Sequence, residues 1–186
     1  MSEKIIEFVQ HFVHNKELVT FVVSMLPIVE LRAAIPLGIL YYKLNFIKVY
    51  VLSVFGNLVP VYPILYLLIP VMNFFSKTKI GKKFYKNLEK KAEKNREKIL
   101  KYEILGLMLF VAIPLPGTGA WTGAMIAALL RLNPHKSFLS ISIGVFIAGV
   151  IVTAFSLLGV WGAVIAGIIL IISSIKALQS KILREV

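Results

Sequence analysis

The run from Ser137 to Ile175 contains no charged residue. It is long enough for two membrane passes at about 20 residues each. Hydrophobic residues make up 58% of this 186-residue chain and charged residues 16%, whereas a soluble domain is about half apolar and about a quarter charged. The sequence therefore predicts an all-α integral membrane protein, with a single domain over residues 1–186.

Basic residues are concentrated in one short stretch. Eleven of the 21 lysines and arginines lie between Lys77 and Lys101. Because short loops rich in lysine and arginine face the cytoplasm, we expect a multi-pass protein of the cell membrane. Residues 77–101 and the carboxyl terminus would lie in the cytoplasm, against anionic lipid headgroups. The stretch lacks a nucleic-acid-binding module, which argues against a nucleic-acid partner despite the net charge of +12.

Both halves of the chain contain an apolar segment that is interrupted at its centre, over residues 17–41 and 103–131. Proline lacks the N–H group of the helical ladder. The interrupting prolines are Pro27 and Pro36 in the first segment and Pro114 and Pro116 in the second. The flanking pieces of about ten residues make ~15 Å of helix, half of a ~30 Å hydrocarbon core. We therefore predict that each segment is a re-entrant helical hairpin.

Matching residues follow the two interrupted segments at a constant spacing of 88 residues. Leu44, Asn45, Lys48 and Gly56 match Leu132, Asn133, Lys136 and Gly144. We predict that the two asparagines cap the helices that follow them. The charge rule places Asn45 outside and Asn133 inside the cell, so the two halves form inverted repeats.

These observations divide the domain into five parts in chain order. They are an amphipathic helix, the first repeat, the basic segment, the second repeat and a tail, at residues 1–16, 17–75, 76–102, 103–176 and 177–186. We expect one long helix over residues 46–75 after the first hairpin, kinked at Pro60, Pro63 or Pro70. Two helices over 137–158 and 160–176 should follow the second hairpin. The amphipathic helix either lies in the membrane interface or forms the first turns of the next helix.

Glu30 and Arg32 are the only charged residues between Glu17 and Lys43. Ionisable groups at membrane depth are costly and usually face a cavity or a partner. A carboxyl in an apolar setting favours its protonated form, so Glu30 is a candidate for loading and releasing a proton. Arg32 carries a planar fork that matches phosphate or carboxylate. A structural role is the alternative, in which each charge neutralises the other or binds backbone carbonyls that Pro36 leaves unpaired.

Gly117, Thr118 and Gly119 stand where the second half-helix should begin. We predict that Thr118 is its N-cap. The free N–H groups and the dipole at such a terminus favour an anion, and a simple proline–glycine turn is the alternative. Trp121 and Thr122 are expected to line the same cavity, although a tryptophan in such a segment is more often a packing residue.

The sequence contains no cysteine. It also shows no metal-binding cluster, no cofactor motif and no nucleophile with an adjacent base. We therefore predict that the protein is not an enzyme and that it binds neither a cofactor nor a metal.

The motifs over residues 27–38 and 114–123 resemble those of the putative small multidrug export protein family. The layout more distantly resembles the DedA superfamily, whose members have two facing re-entrant hairpins and in some cases move polyprenyl-phosphate or other lipids. The resemblance implies a transporter. The residues that it maps are Glu30, Arg32, Pro36, Pro114, Pro116, Gly117 and Thr118.

Together these features predict a small, proton-coupled membrane transporter. Its substrate would be amphiphilic or anionic, such as a lipid phosphate, and would bind between the two hairpins; a multidrug substrate is implied only by the family label. The alternative is a lipid-organising or membrane-assembly protein that does not transport. The expected partners are membrane lipids and the small-molecule substrate, and a homodimer is left open.

Overall fold

The computed structural model describes residues 15–27, 29–75, 103–115, 117–159 and 162. Every regular element within these ranges is helical, which confirms the predicted all-α class. The predictions for the basic segment, the tail and the helix over 160–176 lie outside the described residues, as does nearly all of the amphipathic helix.

The first half of the described chain contains four helices. They are α1 Lys16–Met25, α2 Glu30–Pro36 with a π-helical extension Leu37–Tyr41, α3 Phe46–Leu58 and α4 Val61–Phe75. The second half contains α5 Glu103–Ala112, α6 Ala120–Leu129 and α7 Pro134–Leu157.

Helix α1 ends at Met25, and Pro27 lies in the turn before α2. The predicted break at Pro27 is therefore confirmed. The predicted break at Pro36 is wrong, because Pro36 lies inside a helix that continues through the π-helical extension. The wider π turn lets the chain stay helical past a residue that cannot donate an ordinary helical hydrogen bond.

The second interrupted segment breaks where the sequence predicted. Helix α5 ends at Ala112 and α6 begins at Ala120, with Pro114 in the non-helical connection. Gly117 and Gly119 have φ angles of 79° and 125°, which residues with a side chain rarely adopt. The predicted break at Pro116 lies outside the described residues.

Asn45 and Asn133 cap α3 and α7, as predicted. Each amide oxygen accepts the backbone N–H groups of the residues two and three positions further on. The residues two positions before them, Lys43 and Arg131, both have a φ of 55°. The local turn structure therefore repeats at the 88-residue spacing.

The matched glycines occupy matching packing positions. A Cβ atom at Gly56 on α3 would overlap Ser24 Oγ on α1, and one at Gly144 on α7 would lie 2.7 Å from the carbonyl oxygen of Met108 on α5. In each half, the helix that follows the interrupted segment thus packs closely against the first helix of that segment.

The expected long helix over residues 46–75 is divided by a turn at Val59 and Pro60 into two consecutive helices, α3 and α4. The division lies at one of the prolines where a kink was expected. Pro60 lacks the N–H group that would continue the ladder. Pro70, in contrast, lies inside α4.

Helices α3 and α4 run antiparallel to α7. The hydroxyl of Tyr50 donates to the carbonyl oxygen of Phe146 at 3.2 Å. Tyr66 Oη lies 3.3 Å from His135 Nε2, near the start of α7. The later residue on α3 and α4 therefore contacts the earlier residue on α7, as expected for antiparallel packing. Asn45 and Asn133 consequently lie at opposite ends of this layer.

Two stretches are long and apolar enough to cross a membrane, Phe46–Pro70 with 25 residues and Pro134–Leu157 with 24. Large apolar side chains of α7 are exposed: Leu139, Ile143, Phe146, Ile147 and Val150. Its buried positions are mostly small or polar: Ser137, Ser140, Gly144, Ala148, Gly149, Thr153 and Ser156. This arrangement is typical of helices that face lipid and pack through small residues.

Candidate functional site

The two interrupted segments meet at their breaks. The start of α2 contributes Glu30 and Arg32, and the connection between α5 and α6 contributes backbone and side-chain groups. We define the breakpoint cluster as Glu30, Arg32, Leu115, Thr118 and Trp121. The sequence predicted all of these residues as site residues except Leu115, whose backbone carbonyl carries its contact.

Glu30 is the first residue of α2, and its side chain lies at the amino terminus of α6. Its side chain is buried, with 4% of the residue exposed, and Oε1 accepts the backbone N–H of Trp121 at 3.2 Å. The unpaired N–H groups and the dipole of a helix amino terminus favour an anion at this position. The sequence predicted a substrate anion there, whereas in this structure the site is occupied by the protein's own carboxyl group.

Gly119 makes this contact sterically feasible. A Cβ atom at this position would overlap Glu30 Oε2, and its φ of 125° and ψ of 179° belong to a region that is essentially restricted to glycine. Glu30 itself has a φ of 50°, a left-handed conformation that is uncommon for a residue with a side chain. Both backbones therefore adopt uncommon conformations at the point where the segments meet.

Arg32 joins the start of α2 to the connection before α6. Its Nη1 donates to the carbonyl oxygen of Leu115 at 2.5 Å, and its Nη2 donates to Thr118 Oγ1 at 3.0 Å. The planar guanidinium holds two acceptors at once, which a lysine ammonium does less well because its charge is concentrated at one atom. Arg32 thus bridges the two interrupted segments.

Glu30 and Arg32 are not joined by an ion pair. Within the described ranges the structure shows one ion pair, between the exposed side chains of Lys48 and Glu17. Each charged group of the breakpoint cluster is instead satisfied by the second segment. Direct neutralisation of the two charges is not seen, whereas Arg32 does bond a backbone carbonyl, that of Leu115. A structural role for the two charges therefore stays the alternative to a functional one.

Thr118 does not cap α6, contrary to the prediction. The N-cap is Gly119, and Thr118 Oγ1 lies 2.8 Å from the carbonyl oxygens of both Ile113 and Leu115. The hydroxyl therefore stabilises the connection itself, and the carboxyl of Glu30 takes over the anionic role of a cap from the other segment.

Trp121 contacts the first segment through both of its N–H groups. Its backbone N–H reaches Glu30, and its indole Nε1 donates to the carbonyl oxygen of Met25 at 2.9 Å. That carbonyl belongs to the last turn of α1, where helical carbonyls lack an internal partner. Thr122 is half-buried on α6 and takes part in none of these hydrogen bonds. Gly117 contributes its left-handed backbone to the connection.

A cavity of about 320 Å³ lies away from the breakpoint cluster, between the start of α3 and the end of α7. Its lining is largely apolar and includes Phe46, Tyr50 and Leu157. It opens on the apolar outer surface and contains none of the predicted site residues. In the part of the chain that the structure describes, no group of three or more histidine, cysteine, aspartate or glutamate residues could hold a metal ion.

Comparisons with known proteins identify one family. The family model described as putative small multi-drug export protein matches residues 30–151. The match begins at Glu30 and includes both sides of the breakpoint cluster. No curated protein matches, and no solved structure matches. The more distant DedA resemblance is not shown by these comparisons and stays a prediction.

Proposed function

Because the chain belongs to the putative small multi-drug export protein family, we propose that it is a membrane transporter whose substrate binds at the breakpoint cluster. The observation that carries the proposal is the contact of a buried carboxyl from one interrupted segment with the helix amino terminus of the other. Ionisable groups at membrane depth commonly mark substrate and proton pathways. The family and the two apolar stretches indicate a membrane protein.

Contacts at the two ends of the first segment support a re-entrant hairpin. Glu17 at the start of α1 pairs with Lys48 at the start of α3. Helix α2 also finishes at this end, because only a short connection separates Tyr41 from α3. The chain therefore enters and leaves on the same side, and we propose that Pro27 lies at membrane depth.

The second segment supports the same arrangement from the opposite end. A Cβ atom at Gly123 on α6 would contact both Val111 on α5 and Ile141 on α7, so α5, α6 and the first half of α7 lie together. Since α7 is antiparallel to α3 and α4, we propose that the two hairpins enter the membrane from opposite sides. This supports inverted repeats, the architecture in which interrupted helices meet at a central binding site.

Glu30 is the proposed coupling group. In this structure its carboxyl occupies the amino terminus of α6, a position that favours the charged form. Protonation removes this charge, and an anionic substrate group can then take its place beside the guanidinium of Arg32. The substrate class that fits is an amphiphile with a phosphate or carboxylate headgroup, because the surrounding segments are apolar. We further propose that residues 77–101 and the carboxyl terminus face the cytoplasm of the cell.

Glu30→Gln tests the coupling role. We expect loss of proton-driven transport of a fluorescent lysophosphatidate in proteoliposomes, because the amide is close to the carboxyl in size but cannot release a proton. The control is Glu17→Gln, which removes an exposed carboxyl of the same type. Transport by Glu30→Gln at the wild-type rate would reject the coupling role.

A lipid-organising protein that does not transport is the second candidate. It is favoured by the internal hydrogen bonds of Glu30 and Arg32, which lock the segments together. This candidate predicts no flux of the same probe in wild-type proteoliposomes over protein-free vesicles. Flux that depends on protein and on a proton gradient would exclude it.

A further inference from the structure

Two buried polar side chains on α3 have no hydrogen-bond partner among the described residues. Ser53 is 0% exposed and Asn57 is 1% exposed. The unpaired atoms are Ser53 Oγ and Asn57 Oδ1. Because most buried polar atoms in native proteins are paired with protein or ordered water, these two atoms point to a ligand that is small and polar.

Ser53 faces the first interrupted segment. Val49, one turn earlier on α3, lies 2.7 Å from where a Cβ of Gly38 would stand, and Gly56 contacts Ser24. Residues 49, 53 and 56 recur at helical spacing and therefore share a face of α3. Asn57, one turn after Ser53, lies between this face and the one on which Val54 contacts Gly149 of α7. Asn57 consequently points toward the centre of the molecule.

Helix α1 contributes two more hydroxyl groups to this interface. Thr20 and Ser24 are fully buried. Thr20 Oγ1 donates to the carbonyl oxygen of Lys16, and Ser24 Oγ donates to that of Phe21. A hydroxyl that donates its proton still has lone pairs that can accept. We call the interface formed by Thr20, Ser24, Ser53 and Asn57 the α1–α3 seam.

The seam lies between an exposed ion pair and the breakpoint cluster. At its outer end is the exposed pair of Glu17 and Lys48, one turn before Thr20. At its inner end, Ser24 precedes Met25, whose carbonyl oxygen is bound by the indole of Trp121. The backbone N–H of the same Trp121 contacts Glu30. The polar groups thus follow one another from the end of the molecule that carries Asn45 to the buried carboxyl.

We propose that the α1–α3 seam binds water and is the path by which water reaches Glu30 from the Asn45 end. Water fits the unpaired atoms because it both donates to Ser53 Oγ and Asn57 Oδ1 and accepts from neighbouring donors. The use of this path for proton coupling rests on the proposed transport function. The binding of water in the seam does not rest on the transport function, because it depends only on the unpaired polar groups.

Single cysteines test the path, and the chain has no native cysteine. Ser53→Cys and Asn57→Cys are placed in the full-length protein in oriented membrane vesicles and exposed to Ag⁺ from one side in chloride-free buffer. Free thiols are then counted with a maleimide after denaturation. The matched control is Ser140→Cys, because Ser140 is equally buried but its hydroxyl is paired with the carbonyl oxygen of Lys136. Glu17→Cys reports the exposed outer end.

The path predicts loss of maleimide labelling at residues 53 and 57 when Ag⁺ is added from the Asn45 side, with Ser140→Cys unaffected. If Asn57→Cys does not fold, Ser53→Cys alone decides the question. Residue 53 reacting no faster than residue 140, while Glu17→Cys reacts, would overturn the proposal. Protection of residue 53 by Na⁺ but not by a larger cation would also overturn it, by assigning the seam to a bound ion. Neither readout requires transport, so failure here and failure of the transport proposal are distinguishable.

Discussion

Gly119 and Glu30 are the residues whose contact joins the two interrupted segments. The absence of a side chain at residue 119 leaves room for the carboxyl, and the carboxyl supplies the negative charge that the amino terminus of α6 attracts. Each residue therefore depends on the other for its role. The consequences can be measured as stability, independently of any substrate.

Gly119→Ala should destabilise the protein by about 3 kcal/mol or more, because a strained backbone conformation is added to an overlap with Glu30. Gly159→Ala is the matched control, since Gly159 also has a positive φ but no atom of the described residues lies within 4 Å of its Cβ position; its cost should be about 1 kcal/mol. Unfolding in detergent measures both. Equal losses for the two variants would contradict the contact.

A double-mutant cycle sharpens this test. In a protein that already carries Glu30→Ala, Gly119→Ala should cost less, because the overlapping carboxyl is gone and neighbouring residues couple energetically. Additive effects would show that residue 119 does not contact Glu30.

Arg32→Lys should lower both stability and transport, because one ammonium cannot hold Leu115 O and Thr118 Oγ1 in the way that the guanidinium does. Loss of a hydrogen bond to a charged group costs about 1.5–3 kcal/mol. Arg131→Lys, at an exposed position, is the control. If Arg32→Lys unfolds at the same denaturing condition as the wild type, Arg32 does not stabilise the contact between the two segments.

The sequence predicted the charged residues of the site but not their partners. Glu30 and Arg32 stand out because isolated charges are rare in apolar segments. Glu30 and Trp121 are 91 positions apart, so only the tertiary structure brings them into contact. No local sequence pattern predicts that contact. The signal available in the sequence was Gly119, which is required where another group approaches the backbone closely.

At the scale of elements, the sequence predicted the breaks at Pro27 and Pro114, but it did not predict that the chain stays helical past Pro36 or that it divides fully at Pro60. Pro27 and Pro114 coincide with breaks, because no neighbouring turn compensates for the lost hydrogen bond. After Pro36 the chain stays helical by widening into a π turn, where Gly38 packs against Val49 of α3. That compensation depends on tertiary packing, so the local sequence could not reveal it.

The two close helix pairs offer a further prediction. Gly56→Ala and Gly144→Ala should each destabilise the protein, because the added methyl group separates α3 from α1 or α7 from α5. The expected loss is about 1–3 kcal/mol for each. Ile143→Ala, next to Gly144 but with an exposed side chain, provides the control. If both glycine variants unfold like wild type, the close packing of these pairs is refuted.

At the scale of the whole molecule, the described helices bury several polar groups together with an apolar core, and their outer faces are also apolar. Buried serines, Asn57 and the breakpoint cluster are enclosed by helices whose outer faces carry leucine, isoleucine, valine and phenylalanine. A solvent-exposed protein would lose stability with this arrangement, whereas a lipid environment favours it. The composition predicted the environment correctly. The antiparallel packing of α3 and α4 on α7 could be determined only from the structure.

In the proposed arrangement, the interrupted segments enter the membrane from opposite sides and meet at Glu30. Lys48 and Lys136 are matched by the 88-residue spacing, and both are exposed near the starts of their helices. Lys48→Cys and Lys136→Cys, each a single cysteine, can be labelled in intact cells with a membrane-impermeant maleimide. If the segments enter from opposite sides, residue 48 should react from outside and residue 136 only after the cells are opened. Reaction of both residues from the same side would contradict it.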